Sequence, residues 1–133
     1  MNNFNRILFF IFLLPACFAV AQPSAAIQKY DSIHNACMYN TSNALSCSRR
    51  YAKQVDSMLQ VVYRMVRVRL DTSVRKNLNA EEAKWIKERD EYLTIQAHND
   101  EDLDENSRNV DMTEKRASYD RRRLAELLKR TVY

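Results

Sequence analysis

The chain contains no glycine and only two prolines in 133 residues. Tight hairpins draw on glycine for positive φ, and phosphate-cradling loops need it so that backbone can approach the ligand. Its absence disfavours β-sandwiches and nucleotide-binding loops and leaves helices. Histidine is nearly as scarce. His34 and His98 are the only two, each isolated, with no cluster at metal-ligand spacing around them. No metal or other cofactor is expected. Paired acids such as Glu88 and Glu91 fall on a charged helical segment with no apolar pocket to raise either pKa, so glycosidase chemistry has no particular support. The expectation is a protein that is not an enzyme.

Long apolar runs are also missing, except at the N-terminus. There Arg6 precedes the apolar run from Ile7 to Leu14, and Ala19-Val20-Ala21 supplies the small residues a signal peptidase needs before Gln22. Residues 1–21 read as a signal peptide, with a run too short to span a bilayer. Membrane attachment is expected only if Cys17 is lipidated, and Pro15 just upstream fits that cleavage poorly. Cleavage removes Arg6 and no acid, so one of the 21 basic groups is lost and 20 face 17 acids, a net charge of +3. Residues 22–133 then form one small domain in a periplasmic or secreted, bacterial setting. That compartment is oxidising, and Cys37 and Cys47 remain as an even pair suited to one disulfide.

From Ser42 to about Leu70, apolar residues recur at Ala44, Cys47, Tyr51, Val55, Met58, Val62 and Met65, a period near 3.6. Thr41 or Ser42 is the expected cap. Asp71-Thr72-Ser73 breaks this pattern. A second helix is predicted to start at Asn79, with Glu82 reaching back and Leu78 packing on Ala83, and to turn Trp85, Ile86, Leu93 and Tyr92 inward. The acidic run Asn99 to Asn106 lacks periodicity and reads as a solvated loop. A third helix is predicted from Asp111, paired with Glu114, through Ala117, Leu124, Leu127 and Leu128. The predicted fold is all-α: an antiparallel helical hairpin plus a third helix, with Gln22 to Ala36 as a short arm or helical turn pinned by the disulfide. The one tryptophan, Trp85, should bury itself against the Tyr51 to Tyr63 face, stabilising the hairpin by roughly 3 kcal/mol.

Cys47, Tyr51, Asp56, Leu59, Tyr63, Leu78, Trp85, Arg89 and Asp90 stand in an order and spacing that resembles the LprI-like lysozyme inhibitor family, in its N-terminal domain. The resemblance covers roughly Cys37 to Asp90, with an echo at Met112-Thr113 and Arg116. Gln60 stands where that family's pattern has asparagine, and Glu81-Glu82 where it has Ala-Gln. Many members resemble a two-disulfide design, with further cysteines after the Arg-Asp pair and before the Met-Thr segment. Here Leu93 stands near the first position and residues 108–111 lack the second, which implies a looser tether around the acidic loop.

The resemblance implies an exported inhibitor that binds and blocks a cell-wall muramidase through a protein-protein contact. The alternative from another class is a periplasmic immunity or envelope interaction module with a non-lysozyme partner. Lysozymes are typically basic, and their cleft works through two carboxylates, so an inhibitor can plug the cleft and offset its field. The candidate contact is the acidic loop with Asp100, Glu101, Asp102, Asp104 and Glu105. Arg121-Arg122-Arg123 point three ways around a helix with acids between them, so they read as a solvated face, and no nucleic-acid partner is expected.

Overall fold

A computed structural model describes residues 23–40 and 42–131 of the protein. Among the described residues four helices follow one another: α1 (Pro23–Asn40), α2 (Ala44–Arg69), α3 (Thr72–Asn99) and α4 (Glu105–Lys129). The described residues contain no strand, and none of their helices is long and apolar enough to cross a membrane. The expected signal segment, Cys17 and the Thr41 cap lie outside the described residues.

The all-α expectation holds, but the count of three helices is corrected to four. The N-terminal arm is a full 18-residue helix, opened by Pro23 in the first turn, where its missing N–H costs nothing. Its inward stripe hid from periodicity because it is partly polar. Ile27 is fully buried, but the next inward positions are Tyr30, Asp31 and His34. Asp31 accepts from Tyr51 Oη at 2.5 Å and pairs with Arg121 at 3.0 Å, while His34 stacks on the Tyr51 ring at 4.2 Å and meets Glu114 at 3.1 Å. Burial alone would raise the Asp31 carboxyl, but the bonds from Arg121 and Tyr51 prevail and hold it below its ordinary range. Burial first, then Asp31, pushes the Tyr51 hydroxyl far up, so it stays a donor. Cys37 and Cys47 are disulfide-bonded, with 5.9 Å between their Cα atoms, and tie the end of α1 to the start of α2.

The predicted helix starts move as well. Asn43, not Ser42, caps α2 by accepting from the Ser46 amide. Helix α3 begins seven residues before the expected Asn79, because Asp71 accepts from the amides of Ser73 and Val74. Asn79 is interior and takes bonds from Tyr63 Oη and Arg67 Nε instead. Likewise Asp104, not Asp111, caps α4. For α3 and α4 an Asp side chain in extended backbone outcompeted a capping pair farther along that the growing helix absorbed.

The core is built mainly from α2 and α4. Val55, Leu59, Val62 and Val66 face Ala117, Leu124 and Leu127, with Ile27 and Leu78 closing the ends. Helices α2 and α4 pack along their length, α1 leans on α2, and α3 leans on α4. Helices α2 and α3, joined by a short turn, are not closely packed on each other. The expected hairpin is therefore splayed, and α4 supplies the packing that α3 was expected to give. Only Leu78 is fully buried on α3, and Ile86, expected inside, is 41% exposed.

Trp85 is half-buried. Its ring lies 5.8 Å from Tyr119 of α4, under Arg89 at 5.1 Å and near Arg123 at 5.9 Å. The indole is thus a rim residue between α3 and α4 and not a sealed wedge against α2. Trp85→Ala is expected to cost about 1–2 kcal/mol, roughly half of the value for a fully buried aromatic, with urea melts as the check.

Candidate functional site

The splay of α2 from α3 leaves a groove, with α4 as its floor. Near the turn it forms a hollow of about 510 Å³ between Asp56, Tyr63 and Arg64 on one wall and Trp85 and Arg89 on the other. A second hollow of about 540 Å³ continues it past Arg49 and Lys53 toward Leu93 and Met112. Asp56 and Arg116 line both, so they stand at the waist of the groove, where the two hollows adjoin.

The motif residues divide by task. Leu59 and Leu78 are core, and Tyr51 is the buried anchor for α1. The Arg89-Asp90 pair is a positioning device. Asp90 accepts from Arg89 Nε and Nη2 at 3.1 and 3.0 Å, which leaves Nη1 to reach Asp120 Oδ1 at 3.4 Å. Asp120 is 1% exposed, and burial pushes its carboxyl up despite the opposing pull of Arg89 and then Arg116. Next to it on α4, Arg123 is 3% exposed and forks onto Glu82 at 2.9 Å and Glu81 at 2.7 Å. Burial works against the Arg123 charge, but these carboxylates outweigh it. Polar pins thus replace the apolar stripe that α3 lacks. Asp56, Tyr63, Trp85 and Arg89 remain on the groove. Gln60 donates to Asp56 at 3.1 Å.

The acidic loop lies at the far end of α3. Its first and fourth carboxylates serve the fold. Asp100 pairs with Lys115 at 2.7 Å, which holds its carboxyl low, and Asp104 caps α4, where bonds from Ser107 and the Asn106 amide hold it low. Glu101 contacts the exposed His98 at 2.7 Å. Glu101, Asp102 and Glu105 are exposed, around a 40%-exposed Leu103. The expected looser tether is corrected by Arg108, which sits in the segment lacking the family cysteine. Its guanidinium donates to the carbonyls of Asp100, Glu101 and Leu103 at 3.1, 2.8 and 2.9 Å. One side chain thus fixes three backbone positions, a task that sequence spacing did not reveal. Among the described residues, no group of three or more His, Cys, Asp or Glu is placed to hold a metal ion.

A helical scaffold with one disulfide, polar pins at the Trp-Arg-Asp motif and a fixed acidic loop is the frame against which the family comparison falls. The model of the family described as lysozyme inhibitor LprI matches residues 24–127. The chain belongs to the LprI lysozyme inhibitor family. The match runs from the second residue of α1 nearly to the end of α4, so the helix that periodicity missed and the acidic loop both lie inside the LprI region. Comparison with curated proteins and with solved structures returns no match. LprI is an inhibitor family and not a catalytic one, and it implies a protein partner.

Proposed function

We propose that this LprI-family protein is exported through the signal peptide 1–21 as one domain, residues 22–133, and blocks a cell-wall muramidase by direct contact. The family match carries the reading. The acidic loop supports it as the contact, since Glu101, Asp102 and Glu105 project around Leu103 from a backbone that Arg108 already holds. A pre-ordered loop loses little entropy on docking, which leaves more of the contact energy as affinity. An apolar centre within a charged rim also suits a cleft in a basic enzyme.

The chain's net positive charge does not oppose this, because the charge is segregated. Helix α2 has six basic residues against Asp56 alone, whereas residues 100–105 carry five acids and no base. At the ionic strength of physiological solution, fields are screened within about 8 Å, so the local sign of the loop governs the encounter.

Titration of the mature protein into muramidase assays with several lysozyme types tests the reading; slowing none of them at stoichiometric excess would overturn it. In the variant Glu101→Gln/Asp102→Asn/Glu105→Gln, inhibition is expected to weaken about tenfold and to lose much of its salt dependence. Its melting curve should be unchanged, since Asp100 and Asp104 are left in place. Undiminished inhibition would move the contact off the loop.

A further inference from the structure

The groove between α2 and α3 has features that neither the core nor the acidic loop requires. Arg49, Lys53 and Arg64 line it without any carboxylate within ion-pairing distance among the described residues. Arg116, at the waist, is about half exposed and stands 3.9 Å from buried Asp120. From Arg49 to Arg64 the cationic wall runs about 22 Å at the helical rise, long enough for an extended chain and too long for a single small anion. Unpaired cations around a concave surface concentrate anionic ligands. Each hollow falls within the roughly 300–1,000 Å³ of ordinary ligand sites.

The remaining lining narrows the ligand class. Trp85 is half-buried and lines the groove, with Tyr63 on the opposite helix. Between the cations sits the Asp56–Gln60 pair, an acceptor joined to an amide with further donor and acceptor capacity. A purely polyanionic strand would meet repulsion from Asp56 at the waist. A chain that alternates hydroxyls with carboxylates would not, since Asp56 and Gln60 can bond hydroxyls while Lys53, Arg64 and Arg116 take carboxylates.

We propose that the α2/α3 groove is a binding site for a carboxylate-bearing oligosaccharide, with Lys53, Arg64 and Arg116 holding its acid groups and Asp56, Gln60 and Trp85 its sugar rings. The site is separate from the acidic loop and does not depend on the inhibitory reading. An inhibitor with such a groove would be held on an acidic glycan while its loop stays free.

Trp85 is the sole tryptophan, so its fluorescence reports on the groove. The mature protein is titrated with tetragalacturonic acid, with neutral chitotetraose and with pentaglutamate. A saturable Trp85 response to tetragalacturonic acid is expected, weakened by salt and at least several-fold stronger than with either control. Lys53→Gln/Arg64→Gln, whose side chains are exposed and bond to nothing described, should keep its melting curve and its muramidase inhibition while losing affinity for the acid sugar about tenfold. No response, an equal response to chitotetraose, or undiminished binding by the variant would overturn the proposal. So would an equal response to pentaglutamate, which would make the groove an acidic-peptide site.

Discussion

Asp120→Ala is expected to lower stability by about 3–5 kcal/mol, the usual cost of removing one partner from a buried ion pair. Asp120 is 1% exposed, and the guanidinium it faces, Arg89, is itself largely out of water. Alanine would leave that cation without its α4 partner, and Asp90, exposed on the same helix, cannot follow it inward. Helix α3 has only Leu78 fully buried, so it depends on polar pins for its position. Asp120→Asn separates charge from shape. Burial already works against the ionised carboxyl, so an amide that still accepts from Arg89 should cost only about 1–2 kcal/mol. Denaturant melts of the two variants check both figures, and equal losses would show that charge and not geometry carries the contact. Loss of the pin should also loosen the groove, visible as a shift of Trp85 emission in Asp120→Ala.

Leu124→Ala should cost about 2–5 kcal/mol, more than Trp85→Ala although far fewer atoms are removed. Leu124 is fully buried where α4 crosses α2, among Val55, Leu59 and Val62. A hole there cannot be filled by solvent or by collapse, because helices pack against it on more than one side. Trp85 sits at a rim where water and the flanking arginines can occupy the space it leaves. If the tryptophan variant melted lower than the leucine variant, the keystone of the fold would lie at the α3 rim instead of the α2/α4 contact. For a small domain with about 5–15 kcal/mol of total stability, either of the larger losses is a substantial fraction.

Much of this is legible in the sequence. Cys47, Tyr51, Val55, Val62, Leu124 and Leu127 fall on 3.6-residue stripes, and all of them are buried. Helix α1 was legible only as a short arm or helical turn and not at its full length, since Asp31 and His34 occupy inward positions that apolar periodicity counts as outward. Their inward placement makes sense only with Tyr51, Arg121 and Glu114 in place, residues 17 to 90 positions away. The caps misled for a different reason. Asn79-Glu82 and Asp111-Glu114 both match the capping pair of a helix start, but Asp71 and Asp104 come first in the chain and cap with their own side chains, without an acid three residues on.

The sequence by itself determined the class of the protein. Lack of glycine, two strong apolar stripes, one cysteine pair and the Tyr-Asp-Leu-Tyr and Trp-Arg-Asp spacing depend on residues close in the chain, and near-neighbour geometry is set by the helix itself. Only the tertiary structure decided that α3 docks on α4 and leaves a groove beside α2, that Arg108 ties the acidic loop, and that Trp85 stands at a rim. Those outcomes rest on which long side chains meet across helices, and a one-dimensional pattern carries the period of a stripe but not the partner that covers it.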